Sequence, residues 1–210
     1  MLNICFVKFG DKVQGFDADK LLYDMIEPII NNVKEDFEIW VATDRPIYNI
    51  TLNPKINYIP LTNQDIKEHG HWTKIFFFDP SYIKAQECDT TVIMDIDMQW
   101  KKDPSPVLTY PVEHGDFVSM DRWWKSDPMP ISGNLYKFNS HDFKFVYDNY
   151  MEDYKKHKKY YYENKIVQLP QEGEQYFVYD QIKDKINLQP LHLVVPLIIP
   201  HIVLVGDELV

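Results

Sequence analysis

The sequence predicts an α/β fold in which a mostly parallel central sheet is flanked by helices and carries a small antiparallel extension. Short apolar runs alternate with helical patterns in the first half of the chain, and this order favours parallel strands covered on both faces. In the second half the apolar runs follow one another more closely, which is typical of antiparallel strands. No repeat or low-complexity linker interrupts the chain, so we expect one domain over residues 1–210.

The first half contains three apolar runs and one helical pattern. The runs predict strands at 2–9, 37–42 and 56–59. Apolar residues recur at helical spacing from Leu21 to Val33, and Asp17 is a residue type suited to cap the start of this helix. Pro28 lies inside the pattern and lacks a backbone N–H, so we expect it to kink or split the helix.

The remaining elements follow from the same patterns. Strands are predicted at 90–94, 116–120, 135–138, 193–199 and 202–205. Helices are predicted at 72–78, which is short and apolar, at 141–162, which is long and amphipathic, and at 174–182.

Composition excludes several classes of protein. With 45% hydrophobic and 15% aromatic residues, the chain has enough apolar material for a core and is not a disordered chain. A net charge of −10 disfavours general binding to nucleic acids, because an acidic surface gains nothing from the phosphate charge.

The cysteines and the apolar stretches give no indication of secretion or of a membrane span. Two cysteines imply no disulfide framework, and the N-terminus lacks the pattern of a signal peptide. The longest apolar stretch, 191–205, is short for a span and is interrupted by two prolines and two histidines. We therefore expect a protein of a reducing compartment, the cytoplasm, without a transmembrane segment.

Asp95 and Asp97 are the strongest candidates for a functional site. They follow the apolar run 91–94, where a buried strand would reach the surface. Residues i and i+2 of a strand point to the same side, so both carboxylates would face one point while Ile96 turns towards the core. Paired carboxylates at the carboxyl end of a strand suit Mg²⁺ or Mn²⁺ bridging a diphosphate. The alternative is a solvated turn after a strand, because so short a pattern also arises by chance.

Seven segments, taken in order, resemble the GT-A fold glycosyltransferases, especially the small bacterial and phage-type enzymes related to the galactosyl- and glucosyltransferases of polysaccharide synthesis. The segments are FGDKV, FEIWVATDRP, GHWTKIFFFDP, TTVIMDIDMQWKKDPSPVL, DFVSMDRWW, ISGNLYKF and GEQYFVYDQI. The match covers roughly residues 3–182, and its specificity lies in the order of the segments. The resemblance implies a Rossmann-like GT-A domain with a nucleotide-binding half, 1–97, and an acceptor-binding half, 98–210.

The resemblance also implies roles for residues of the nucleotide-binding half. Those implied to contact the nucleotide are Phe9, Gly10, Asp11, Lys12, Thr43, Asp44, Lys74, Asp95 and Ile96. Lys74 matches a Trp-x-Lys element whose lysine approaches the nucleotide or its phosphates. Asp95 and Asp97 match the metal-binding D-x-D pair, which implies Mn²⁺ or Mg²⁺ as the cofactor.

In the acceptor-binding half, the residues implied to contact the sugar or the acceptor are Trp123, Trp124, Ser132, Gly133 and Asn134. Glu174 and Gln175 match an acidic-Gln pair at the sugar site and, with Asp121, are the implied catalytic residues. If the reaction inverts the anomeric centre, Asp121, Glu174 or Asp180 is the candidate base. The resemblance favours retention, which requires no base of that kind.

Several of these residues have purely structural alternatives. Lys74 is also consistent with a surface charge on a buried helix, and Asp44 with a cap for the element that follows it. The segment 132–134 is consistent with a plain turn, although Gly133 interrupts a strand pattern, which favours close approach of a ligand. The adjacent tryptophans 123–124 are consistent with core residues, but both cannot point inward on a regular strand, which leaves one for the floor of a sugar pocket.

The C-terminal segment departs from the family pattern. The related enzymes often carry a late His-Gly element whose histidine is a third metal ligand, whereas Val205 and Gly206 stand here. His201 and His192 are nearby candidates, with His201 the first choice, although a histidine in an apolar stretch is more often structural. The sequence therefore predicts two metal ligands and leaves the third open.

Residues 155–162 form a dense run of lysines followed by tyrosines in an otherwise acidic chain. This run is consistent with a solvated helix end, where cations also suit the helix dipole. The functional alternative is a contact for an anionic acceptor such as a phosphorylated lipid, an acidic glycan or a nucleic acid.

The predicted function is metal-dependent transfer of a sugar from a nucleotide-diphosphate sugar, with a UDP-sugar as the first choice, to a hydroxyl acceptor. The acceptor is a glycan, a lipid-linked glycan or a modified nucleobase, of which the last is disfavoured by the acidic charge. The resemblance places such a protein in the cytoplasm of a bacterium or a phage-infected host, free or peripheral at a membrane. Two alternatives stay open: a non-catalytic nucleotide-sugar or glycan-binding module, and a metal-dependent nucleotidyltransferase.

Overall fold

The computed structural model describes residues 1–45, 53–121, 129–163, 173–188, 195–197 and 202–205, with side chains described for these except at 121 and from 186 onwards. The strands are β1 (Leu2–Lys8), β2 (Lys12–Val13), β3 (Phe16–Asp17), β4 (Phe37–Thr43), β5 (Ile56–Pro60), β6 (Thr90–Met94), β7 (Gln99–Trp100), β8 (Phe117–Asp121), β9 (Ile131–Asn139), β10 (Ile186–Leu188), β11 (Val195–Leu197) and β12 (Ile202–Val205). The α-helices are α1 (Ala18–Asn32), α2 (Asn63–Glu68), α3 (Ser105–Leu108), α4 (Lys144–Glu152), α5 (Tyr154–Glu163) and α6 (Gly173–Ile182). Three 3₁₀ helices span Gly70–Phe78, Pro80–Ile83 and Lys183–Lys185.

The central sheet has seven strands in the order β10-β8-β9-β6-β1-β4-β5. Among these described strands β9 alone runs antiparallel to its neighbours, β6 and β8, and the other pairs are parallel. Two small sheets accompany it, a β2-β3 hairpin and the three-stranded sheet β11-β12-β7. The predicted α/β fold class, mostly parallel with a small antiparallel part, is confirmed.

The sheet is covered on both faces, which explains why its strands read as continuous apolar runs rather than alternating ones. In β1, Ile4 and Phe6 pack in the core that includes the buried side of α1. Cys5, between them, packs in the opposite core with residues of the 3₁₀ helix Gly70–Phe78, α4 and α6. All three side chains are fully buried, so one strand contributes to two cores through its alternating side chains.

The start of α1 is as predicted, because the Asp17 carboxylate accepts a hydrogen bond from the Lys20 amide at 2.9 Å. The expected split at Pro28 is wrong, since the helix continues to Asn32. Ile26 and Ile29, on either side of the proline, are fully buried, and this packing holds the helix together across the missing hydrogen bond.

Two other predicted boundaries need correction. The single helix predicted over 141–162 is two helices, because Asp153 between them has φ −155° and ψ 67°. The Asp153 carboxylate accepts from the Lys156 amide at 3.1 Å, so it caps a new helix instead of continuing the old one. The strand predicted over 135–138 begins earlier, at Ile131, which means that 132–134 belong to β9 and are not a plain turn.

Short elements were the ones that the patterns did not predict. They are the hairpin β2-β3, the strands β7 and β10, the helices α2 and α3, and the 3₁₀ helices Pro80–Ile83 and Lys183–Lys185. The hairpin turn places Gln14 and Gly15 at positive φ, 52° and 91°, a conformation that matches the twist of a tight hairpin. None of the helices in the described part of the chain is long and apolar enough to cross a membrane.

Candidate functional site

The candidate site lies at the carboxyl edge of the parallel strands β1, β4 and β6. In register these strands are neighbours, with β1 between the other two. The segments that leave their ends therefore meet at one edge, where ligands of open α/β sheets bind. These segments begin at Phe9, Asp44 and Asp95.

Asp95 and Asp97 project from the turn that follows β6, and Ile96 between them is buried in the core, as their spacing predicted. The Asp95 amide donates to the Asn134 carbonyl at 3.1 Å, which ties the turn to β9. The Gln14 side-chain amide donates to Asp97 Oδ2 at 3.2 Å, so the tip of the β2-β3 hairpin reaches the second carboxylate.

Lys74 connects three parts of the site. Its Nζ lies 2.6 Å from Asp95 Oδ1, donates to the Gly133 carbonyl at 2.9 Å and lies 3.7 Å from Glu174 Oε2. Burial alone would lower the pKa of Lys74, but the carboxylates of Asp95 and Glu174 raise it above its ordinary value. The lysine is therefore a permanent buried cation between the end of β6, the strand β9 and the start of α6.

Besides Asp95, the site contains the carboxyl groups of Glu174 and Asp97, and the pKa of each is raised, which means that its ionised form is disfavoured. Burial, the largest cause, and Asp95 together raise the pKa of Glu174 to about 7, although Lys74 lowers it. Burial and the neighbouring Asp95 raise the pKa of Asp97 to about 6. The site thus carries more negative charge than Lys74 compensates.

This charge imbalance suits a divalent cation. Asp95 and Asp97 offer two hard oxygen ligands on one turn, and burial and Asp95 raise the pKa of Asp97 although Lys74 lowers it. No group of three or more His, Cys, Asp or Glu side chains in the described residues is arranged to hold a metal. These two carboxylates are the ligands that could hold Mn²⁺ or Mg²⁺, together with further oxygen ligands such as those of a phosphate.

Glu174 leads to a pH prediction for the protein in the presence of a chelator. Its folded-state pKa of about 7 exceeds the ordinary 4.5, so the folded state binds a proton between these values when the unfolded state does not. The stabilisation of the fold by this proton on Glu174 is fully present below pH 4.5 and is lost as the pH rises through 7. We expect the free energy of unfolding to fall by about 3 kcal/mol across this window, since a tenfold change in proton affinity is worth about 1.4 kcal/mol.

Urea denaturation at pH 5 and pH 7.5 measures this slope. Glu174→Gln removes the titrating group and should flatten most of the dependence. An unchanged slope in the variant would assign the dependence to other groups.

Residues 133–135 form a bulge in β9 relative to β8. Opposite it, the register of β8 shifts between Ser119, which pairs with Tyr136, and Met120, which pairs with Ser132. A Cβ placed on Gly133 would lie 2.6 Å from Cγ of Gln175. The sequence predicted close approach of a ligand at this glycine, whereas in the structure the side chain of Gln175 occupies the space next to it.

Gly133→Ala should displace the Gln175 side chain from the site, because the added Cβ would clash with its Cγ, at 2.6 Å, and with the atoms beyond it. If Gln175 contacts the sugar, we expect at least a tenfold fall in kcat/KM beyond any change in stability. Steady-state kinetics and urea denaturation separate the two effects. Equal activity of Gly133→Ala and wild type would remove Gln175 from the catalytic set.

The predicted nucleotide residues of the first two loops lie close together at the ends of β1 and β4. The Gly10 amide, at φ 72°, donates to Asp44 Oδ2 at 2.9 Å, which links the two loops. Thr43 is buried and its hydroxyl donates to the Arg45 carbonyl, so it shapes the β4 loop. Phe9 is half-buried, and Lys12 is exposed at the start of the hairpin.

Three residues of this region were missed by sequence reasoning. Lys8, fully buried at the end of β1, lies 2.5 Å from Asp19 and 3.9 Å from Asp44. The sequence contained a signal for Lys8, because a lysine within an apolar run is unusual. The contact of Gln14 with Asp97 and the 5.7 Å separation of the His71 and Phe9 rings had no sequence signal, because both depend on loop geometry.

The remaining predicted residues are placed as follows. Trp123, Trp124 and His201 lie outside the described residues, as does the side chain of Asp121. Asp180 accepts a hydrogen bond from the Tyr161 hydroxyl at 2.6 Å on the exposed side of α6. Lys74, buried at the centre of the site, is not the surface charge that one alternative suggested.

The comparisons with known proteins identify the fold. The sequence matches no protein-family model and no curated protein. The structure is similar to the apo form of the glycosyltransferase GlyE of Streptococcus pneumoniae TIGR4, with a TM-score of 0.63, 9% identity and coverage of 90% of this chain and 44% of GlyE. A second GlyE structure matches with a TM-score of 0.59, 10% identity and coverage of 90% and 46%.

The galactosyltransferase LgtC, in complex with donor and acceptor sugar analogs, matches with a TM-score of 0.63 and 10% identity. This match covers 91% of the present chain and 74% of LgtC. The chain therefore has the GT-A-like fold of these glycosyltransferases, and it spans less than half the length of GlyE.

Proposed function

We propose that the protein is a metal-dependent glycosyltransferase that moves a sugar from a nucleotide-diphosphate sugar to a hydroxyl acceptor. The observation that carries this proposal is the charge arrangement around Lys74, which joins Asp95 and Glu174 beside the second carboxylate of Asp97. One cation and a surplus of carboxylates at the carboxyl edge of a GT-A-like sheet suit a metal-bound diphosphate.

In this proposal Asp95 and Asp97 hold Mn²⁺ or Mg²⁺, which neutralises charge on the departing diphosphate when bound. Lys74 is fixed by Gly133 and Asp95, so its ammonium is oriented before any ligand arrives. The linked loops of Gly10 and Asp44 position the nucleoside, for which a UDP-sugar is the first choice.

The transfer breaks the bond between the anomeric carbon and the diphosphate oxygen and forms a bond from that carbon to the acceptor oxygen. Glu174 and Gln175 border the sugar in this arrangement, beside Lys74 and Gly133. We infer retention of configuration, in which the hydroxyl proton of the acceptor passes to the departing phosphate. If the reaction inverts, Glu174 is the described candidate for the base, since its pKa of about 7 lies near physiological pH.

A donor screen tests the proposal. Thermal unfolding is followed with UDP- and GDP-sugars, each with Mn²⁺ and with a chelator. A ligand that binds only the folded state stabilises it by about 2.7 kcal/mol at a hundredfold excess over Kd. We expect a rise in Tm that requires both metal and nucleotide sugar, followed by release of the nucleoside diphosphate.

The outcomes separate the alternatives. Binding without turnover across a broad acceptor panel would favour the non-catalytic module. Release of pyrophosphate from a nucleoside triphosphate would favour a nucleotidyltransferase. Absence of any nucleotide-sugar binding with metal present would overturn the proposed function.

A further inference from the structure

A cleft beside the candidate site has the size of a ligand pocket. It lies between α5, the start of the 3₁₀ helix Gly70–Phe78 and the first residue of α6, with a volume of about 460 Å³. Its lining consists of residues 69–72, Lys158, Lys159, Tyr162, Glu163 and Gly173. This volume lies within the range of pockets that bind small molecules, roughly 300–1,000 Å³.

The cleft adjoins the proposed transfer site on two sides. His71 stands three residues before Lys74, and its ring lies 5.7 Å from that of Phe9 in the nucleotide loop. Gly173 directly precedes Glu174, whose carboxylate lies 3.7 Å from Lys74. The cleft is therefore lined by His71, which contacts the proposed donor loop, and by Gly173, which is joined directly to the proposed sugar site.

The charge of the cleft is opposite to that of the chain as a whole. Lys158 and Lys159 line it in a chain of net charge −10, and Glu163 is the carboxylate among its lining residues. Lys158 Nζ donates to the carbonyls of Glu68 and His69, which fixes its position at the wall. Lys159 lies 3.9 Å from Glu163 at the exposed rim, a separation at which an exposed ion pair is weak and leaves the lysine available.

The lining offers two kinds of group that bind a phosphate. Gly173 begins the ten-residue helix α6, whose N-terminal amides and dipole attract anions. The cations of the cleft are lysines, which bind phosphate as point charges. Trp72 and the exposed Tyr162 add aromatic surface of the kind that lines ligand pockets.

We propose that this cleft binds the acceptor, and that the acceptor is a carbohydrate carrying a phosphate group. The phosphate lies at the lysines and the start of α6, and the reacting hydroxyl points towards Glu174 and Lys74. The inference deepens the proposed function and rests on it for the identity of the ligand as an acceptor. The binding chemistry of the cleft is independent of the donor and is tested separately.

The test compares glucose 6-phosphate with glucose by saturation-transfer NMR and calorimetry at low salt. We expect the phosphate to bind about tenfold more tightly or better, in line with a charge-assisted contact. Lys159→Glu should remove this preference. Lys156→Glu changes the charge equally on the same helix at an exposed position outside the cleft, and should retain it within about twofold.

Equal binding of glucose and glucose 6-phosphate, or equal losses in Lys159→Glu and Lys156→Glu, would overturn the proposal. So would an oligothymidylate that displaces glucose 6-phosphate and binds more tightly, since it would assign the cleft to a nucleic acid. UDP with Mn²⁺ is titrated in parallel. If UDP fails to bind while the Lys159-dependent preference persists, the proposed function fails and the assignment of the cleft as an anion-binding site is retained.

Discussion

Asp97→Asn is expected to abolish metal-dependent donor binding and, in the same protein, to stabilise the metal-free fold near pH 7. The pKa of Asp97 is raised to about 6 by burial and by Asp95, so its ionised form is unfavourable in the folded state at neutral pH. The amide has no charge to desolvate and still offers an oxygen to Gln14. We expect a gain of about 2 kcal/mol at pH 7.5 in the presence of a chelator.

The loss of metal-dependent donor binding and the gain in stability distinguish a metal ligand from a structural aspartate. A merely structural aspartate would lose stability on substitution and would not affect metal, whereas a metal ligand should lose at least 100-fold in Mn²⁺-dependent transfer or donor binding. Calorimetric titration of Mn²⁺ with UDP and urea denaturation with a chelator provide the two readouts. Asp184→Asn, at an exposed position, is the matched control. Retained Mn²⁺-dependent binding in Asp97→Asn would exclude the metal site.

Lys74→Met is expected to have the second large effect, on both stability and activity. Removal of the ammonium leaves Asp95 and Glu174 without their shared cation in a buried site. Loss of one partner of a buried ion pair typically costs about 3–5 kcal/mol, and loss of a donor that stabilises a leaving group typically costs about 100-fold in rate. We expect losses of this order at pH 8.

The destabilisation should also depend on pH. At pH 5 Glu174 is protonated, because its pKa is raised by burial, so less charge is left uncompensated. The destabilisation by Lys74→Met should therefore be smaller at pH 5 than at pH 8. Urea denaturation of both proteins at the two pH values measures it, with Lys67→Met, at an exposed position, as the control. Equal losses at both pH values would mean that Lys74 does not compensate Glu174.

The local sequence was sufficient to predict those features that depend on a single strand or helix. The strand 90–94 was predicted at its observed bounds, because a short apolar run that is buried on both faces has few other ways to fold. The burial of Ile96 between two outward carboxylates followed from the alternation of side chains after that strand. By contrast, the apolar spacing over 141–162 is that of one helix. The boundary between α4 and α5 is set instead by Asp153, whose carboxylate caps α5.

The sequence by itself therefore determined the fold class, most of the strands of the sheet and the turn that carries Asp95 and Asp97. Only the tertiary structure decided that Lys74, Gly133 and Glu174 meet at this turn, since they belong to elements up to about a hundred residues apart. It also decided that Asp97 carries a raised pKa, because burial and the nearness of Asp95 are properties of the folded chain. Periodicity reports which side of an element is buried, whereas the charge balance of a site depends on which elements pack together.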